Sequence, residues 1–194
     1  MTNSQSPFIT IVSGLPRSGT SMMMRAVEAG GLPALVDHVR KADADNPKGY
    51  YEFEPVKKTK EDPSWLQQAP GKVVKMVYRL LYDLPEEFEY RVLFMQRDLQ
   101  EVLASQRKML LRSGKDPDAV PEEQIKALFE SELDRCREWL NRRPNFTVLY
   151  ITYREMIADP MSESRRVNEF LGGRLDVSAM ASSVDPSLYR NRSR

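Results

Sequence analysis

The residues best suited to chemistry begin in GLPRSGTS, residues 14–21. An apolar run over residues 8–13 leads into this segment, and a helical pattern follows from Gly19 to about Gly30. A strand that turns through glycines into a helix N-terminus aims backbone N–H groups at the space before it. Phosphate is the usual occupant of such a space. Gly14 and Gly19 enclose four residues, the glycine frame of a nucleotide-triphosphate loop, G-x-x-x-x-G-K-[ST]. Thr20 and Ser21 follow at once, so the lysine of that motif is missing and Arg17, inside the loop, is the nearest cation. Pro16 stiffens the turn. The N–H groups of residues 17–21 and the hydroxyls of Ser18, Thr20 and Ser21 can surround an anion, and Arg17 adds a charge-assisted contact. The same residues also read as a tight strand–helix turn capped by Ser18 or Thr20, with no ligand.

A second group lies in FMQRDLQEVLASQRKML, residues 94–110. Arg97 stands at the end of a strand pattern and Ser105 eight residues later in a helical one. Eight residues is slightly more than two turns, so the two meet only if Arg97 reaches along the helix from the loop before it. Asp98 reads as the N-cap of that helix and Glu101 as the partner that completes a capping box.

These groups need elements to hold them. Short apolar runs predict strands over residues 8–13, 72–77, 90–95 and 146–151. Helical patterns fall over 54–60, 99–111, 153–158 and 162–171. A long helix begins at Pro121, carrying Ile125, Leu128, Phe129, Leu133, Cys136 and Leu140 at helical spacing. Residues 37–51 and 112–120 are polar connections, the second a possible lid. Strands alternating with long helices predict an α/β fold with a central parallel sheet flanked by helices, its ligands at the carboxyl ends of the strands. At 194 residues the simplest organisation is one domain over 1–194, with a flexible N-terminus (1–7) and a polar C-terminal tail (182–194).

Composition narrows the function. The chain is 41% apolar and 29% charged, with net charge +1, which gives no support for a nucleic-acid partner bound through bulk charge. One cysteine, Cys136, leaves no intramolecular disulfide and reads as an inert core thiol. One histidine, His38, makes a zinc site improbable, and no metal is expected. No membrane span or secretory leader is evident, so a cytoplasmic setting is expected.

Together the two groups resemble the sulfotransferase family that uses 3′-phosphoadenosine-5′-phosphosulfate (PAPS). Pro16-Arg17-Ser18-Gly19-Thr20-Ser21 is similar to that family's P-[KR]-[SAG]-G-T-[ST] loop, and GLPRSGTS particularly resembles the branch of tyrosylprotein sulfotransferases and bacterial relatives. Arg97 and Ser105 match its arginine and serine for the 3′-phosphate. Residues 46–52, NPKGYYE, resemble a segment of bacterial members; residues 151–160, ITYREMIADP, and Phe170-Leu171-Gly172 resemble further family segments. Lys75 sits in an altered form of the family's "K-x-P-R" element, here Lys75-Met76-Val77-Tyr78-Arg79, which leaves Arg79 without an assigned role.

The resemblance implies a P-loop-like three-layer sandwich. It implies sulfuryl transfer from PAPS to a hydroxyl of a small-molecule acceptor, with adenosine 3′,5′-bisphosphate as product. Arg17 and Lys75 would stabilise charge on the leaving phosphate, and Arg190 or Arg192 would close over the nucleotide. Glu52 is the first candidate for the base, Glu54 the second, with Asp37 and His38 behind them. Tyr50, Tyr51, Phe53, Tyr78 and Tyr82 are candidates for an aromatic acceptor pocket, although core packing accounts for them equally. Oligomeric state is not legible. The alternatives are a P-loop nucleotide-dependent kinase, a catalytically silent nucleotide-binding member, and a structural α/β protein without a nucleotide.

Overall fold

Alternation along the strands decides which face each side chain serves. In a computed structural model, which describes residues 8–37, 39 and 51–189, four strands form one parallel sheet. They are β1 (Ile9–Gly14), β2 (Val73–Lys75), β3 (Tyr90–Gln96) and β4 (Phe146–Thr152), in the spatial order β2-β1-β3-β4. Tyr90, Val92 and Phe94 of β3 pack on one side, and Leu93 and Met95 on the other.

The first side is covered by α2 (Leu99–Arg112) and α3 (Glu122–Asn141), through Val102, Cys136 and Leu140. The second is covered by α1 (Thr20–Ala29), α4 (Tyr153–Ala158), α5 (Pro160–Phe170) and α6 (Val177–Ser183). The expected three-layer α/β sandwich is therefore the observed one. A parallel sheet has to be covered on both faces, and β1 is buried along its whole length.

The chain goes from β1 to β2 on one side, then returns to β3 on the other. Their carboxyl ends diverge between β1 and β3, which is where an open α/β sheet places its ligand crevice. The segment after β1 and the segment after β3 both begin there.

Several boundaries differ from the sequence reading. The strand expected over 72–77 is only Val73–Lys75; Met76 N–H still donates to Val12 O at 3.0 Å, but Tyr78–Asp83 then winds into a 3₁₀ helix. The short helix from Glu54 is also 3₁₀, Glu54–Lys58, and Ser64–Gln68 forms another. The tail region starts as structure. α6 runs to Ser183, and Asp185 accepts from Ser187 N–H at 3.0 Å to cap a 3₁₀ turn at Pro186–Leu188, which delivers Tyr189 to the site. Residues 1–7, expected from the sequence to be flexible, lie outside the described residues, as do His38, the NPKG residues 46–49, Tyr50, Arg190 and Arg192.

Candidate active site

The glycine loop leaves β1 at Gly14 and enters α1 at Thr20. Both glycines are required by space and by backbone. Gly14 has φ 143°, and a Cβ there would stand 2.6 Å from Met95 O; Gly19 has φ 104°, and a Cβ there would stand 2.4 Å from Tyr153 Cδ2. Arg17 adopts φ 75°, the left-handed region that costs a non-glycine residue about 1 kcal/mol or more. Neighbours hold it. Arg17 Nε donates to Ser105 Oγ at 2.9 Å, and Arg97 Nη1 donates to Arg17 O at 3.1 Å.

Of the donors expected from the sequence, the Ser18 N–H is spent inside the turn, on Leu15 O at 3.1 Å. Met22 and Met23 N–H both turn back to Gly19 O, while the N–H groups of Gly19 and Thr20 have no acceptor among the described residues. Two unspent N–H groups at the start of a ten-residue helix form a cradle for an anion. Ser18 is turned to the inner side: it is 1% exposed, lies against Gly14, and its hydroxyl lacks a protein partner. It faces a cavity of about 190 Å³ walled by Leu15, Phe94, Leu133 and Tyr150.

Lys75 ends β2 opposite Val12 and reaches the loop, its Nζ donating to Ser21 Oγ at 3.2 Å. Lys75 with Ser21, and Arg97 and Ser105 with Arg17, therefore meet on one loop, although the five residues are dispersed over 89 positions of the chain. Arg97 and Ser105 meet through Arg17: the first holds its carbonyl and the second its side chain. Asp98 caps α2 as expected, accepting from Gln100 and Glu101 N–H. Glu101 has another task. It is 3% exposed, with Oε2 on Arg97 Nε at 2.9 Å and Oε1 on the Tyr189 hydroxyl at 2.7 Å.

The glutamates considered for the base sit beyond β2. Glu52 is tied by its backbone, its O accepting from Asp37 N–H at 3.2 Å, next to the segment whose Leu35 N–H bonds Val73 O of β2. Glu54 faces outward, half exposed and paired with Lys57 at 2.5 Å, while its N–H donates to Asp37. That N–H holds the Asp37 carboxyl below its ordinary range.

The aromatic candidates disperse into packing. Phe53 meets Trp65 edge-on, Tyr82 meets Trp139 edge-on, and Tyr51 donates to Glu28 on α1 at 2.5 Å. Tyr78, 4% exposed, donates its hydroxyl to Glu132, which also takes Arg79. Arg79 and Tyr78 push the Glu132 carboxyl below its ordinary range, and burial raises Tyr78 to about 12. Burial likewise lifts the Cys136 thiol to about 11, in keeping with an inert core residue.

Residues 9–193 match the family described as "Sulfotransferase domain". The chain belongs to the sulfotransferase family. No curated protein matches it in sequence. Among solved structures it is similar to the sulfotransferase domain of the Synechococcus PCC 7002 olefin synthase, with 18% identity, TM-score 0.56, and 96% and 88% of the two chains covered. It is also similar to the sulfotransferase domain from the curacin biosynthetic pathway, with 17% identity, TM-score 0.52, and 96% and 90% covered. At these identities the two structures speak to the fold. Family membership supports sulfuryl transfer in general.

Sequence reasoning missed three contributors to this site. Tyr153 was visible only as part of a family segment, yet its ring lies against Gly19 and under Arg97, whose Cζ is 4.4 Å from the ring centroid. Glu101 was assigned to the cap. Tyr189 gave no signal, because nothing in its spacing shows that the chain returns to the loop. Among the described residues, no cluster of histidine, cysteine and carboxylate side chains suits a metal ion, and no helix is long and apolar enough to cross a membrane.

Proposed function

We propose that the chain is a PAPS-dependent sulfotransferase that acts on a hydroxyl group of a small-molecule acceptor. The observation that carries this reading is the joining of loop, Lys75, Arg97 and Ser105 at the divergence of β1 and β3. The residues fit the donor: two unspent N–H groups at the helix N-terminus, three cations and Ser105 suit a ligand with phosphates at two places.

When bound, the donor brings the sulfuryl group and leaves as adenosine 3′,5′-bisphosphate. The chain's own residues bind and orient. Arg17 and the Gly19 and Thr20 N–H groups favour negative charge at the loop, so charge that develops on the leaving phosphate meets donors already in place. Lys75, on the neighbouring strand, supplies a second cation from the β2 side. Arg97 and Ser105 serve the 3′-phosphate, which distinguishes this donor from ATP. Glu52, beside β2, is the group we assign to take the acceptor proton, and the acceptor enters from the 51–54 and 78–83 side. Arg190 and Arg192 remain assigned to the nucleotide by family resemblance alone.

Calorimetry with adenosine 3′,5′-bisphosphate and ATP tests the reading. The bisphosphate is expected to bind tighter by about tenfold or more, with the difference reduced in Arg97→Ala and Ser105→Ala. Equal affinity for ATP, or two mutants that keep the wild-type preference, contradicts it and favours the kinase alternative.

A further inference from the structure

The end of the described chain is built into the nucleotide side of the site. α6 packs on α1 closely enough that a Cβ on Gly30 would stand 2.6 Å from Met180 Cγ. From this anchor the capped turn at Pro186–Leu188 brings Tyr189 back across the sheet end. There the Tyr189 ring meets Tyr153 edge-on at 5.2 Å, and its hydroxyl donates to Glu101 at 2.7 Å.

Glu101 connects this to the loop. Its other oxygen accepts from Arg97 Nε at 2.9 Å, the Arg97 side chain being 8% exposed, and Arg97 Nη1 in turn holds the carbonyl of the left-handed Arg17. The guanidinium is also covered by rings, with centroids 4.4 Å away for Tyr153 and 5.5 Å for Tyr189. A carboxylate this deeply buried needs hydrogen bonds to both oxygens, or it rearranges to satisfy them. The Tyr189 hydroxyl helps to fix the Glu101 carboxylate, and through Oε2 the guanidinium that holds Arg17 O, so its loss loosens the placement of Arg97.

We propose that Tyr189 is a positioning residue for recognition of the donor's 3′-phosphate, acting through Glu101 on the placement of Arg97. The inference rests on the PAPS reading. It adds a role for the chain's return that neither the loop motif nor the Arg97/Ser105 pair contains. The tail sets where the arginine stands, whereas its charge is supplied regardless.

The experiment compares adenosine 3′,5′-bisphosphate with 5′-AMP, which lacks only the 3′-phosphate, on the full chain by calorimetry. Tyr189→Phe keeps the ring and removes the hydroxyl. The expected result is 5′-AMP affinity unchanged and bisphosphate affinity reduced about tenfold, the worth of one hydrogen bond to a charged group. Glu101→Gln is expected to reduce the same ratio, and the double variant to lose no more than Glu101→Gln alone, since both act on one path. Tyr189→Phe with a wild-type ratio overturns the inference, as does equal weakening of both ligands, the mark of a purely structural role. If the wild type itself shows no preference for the bisphosphate, the PAPS reading fails and this inference with it. A wild-type preference that survives in Tyr189→Phe sinks this inference alone.

Discussion

At the carboxyl ends of β1 and β3, the predicted residues touch one another: Arg17 meets Ser105, Arg97 meets Arg17, and Lys75 reaches Ser21 from β2. The candidates at residues 51–54 and 78–83 behave differently. Glu54 pairs with Lys57 at the surface, Phe53 goes to Trp65, Tyr82 to Trp139, and Tyr51 to Glu28. The first region is a set of part-buried hydrogen bonds gathered on one loop, and the second a set of separate pairs. A polyanionic donor of fixed shape asks for N–H groups and cations at fixed places, which only a tightly determined backbone provides. An acceptor side needs only shape and one proton acceptor, and many packings meet that demand. The difference teaches that the loop side of the site is fixed by contacts among its own candidate residues, whereas the residues proposed for the acceptor are each held by a different neighbour.

The largest effect expected is from Gly19→Ala. The new Cβ would fall 2.4 Å from the Tyr153 ring at a backbone φ of 104°. The stability loss should be about 3 kcal/mol, read from urea unfolding, with loss of bisphosphate binding. A variant as stable as the wild type breaks the claim that the donor half is tightly determined. Next comes Lys75→Met. Turnover of PAPS, measured as bisphosphate released with a simple phenol or alcohol as acceptor, should fall about 10²- to 10³-fold, with a smaller change in bisphosphate affinity. Equal losses in both would move Lys75 from charge stabilisation to ground-state binding. The smallest effect is expected from Tyr82→Ala, whose residue is 41% exposed and loses an edge contact with Trp139 worth about 1 kcal/mol. It should change the acceptor KM and leave donor affinity intact; a drop in donor affinity would erase the distinction between the halves.

The legibility of the sequence follows the same division. Strand and helix patterns and the glycine frame indicated the parallel α/β sheet flanked by helices and the loop because both are local signals, and the family resemblance added the three-layer sandwich. The same is true of Asp98, whose capping role is complete within three residues. Glu101 was misread for that very reason. The local pattern fits a capping box, but a buried carboxylate is claimed by the stronger charged partner, Arg97, and by a hydroxyl 88 residues away. β2 came out shorter than its β-branched run because the following residues turn Tyr78 onto Glu132, a partner 54 positions distant. The acceptor aromatics were visible by type, while their destinations depended on Trp65 and Trp139, which no spacing rule connects to them.

Amide hydrogen–deuterium exchange on the full chain, with and without saturating adenosine 3′,5′-bisphosphate, tests the central claim most directly. Bisphosphate should protect residues 14–21 and 97–105, together with the segment around Tyr189, and leave residues 51–54 and 78–83 unchanged. Protection confined to the 51–54 and 78–83 side, or no protection of 14–21 when binding is saturated, would contradict the account.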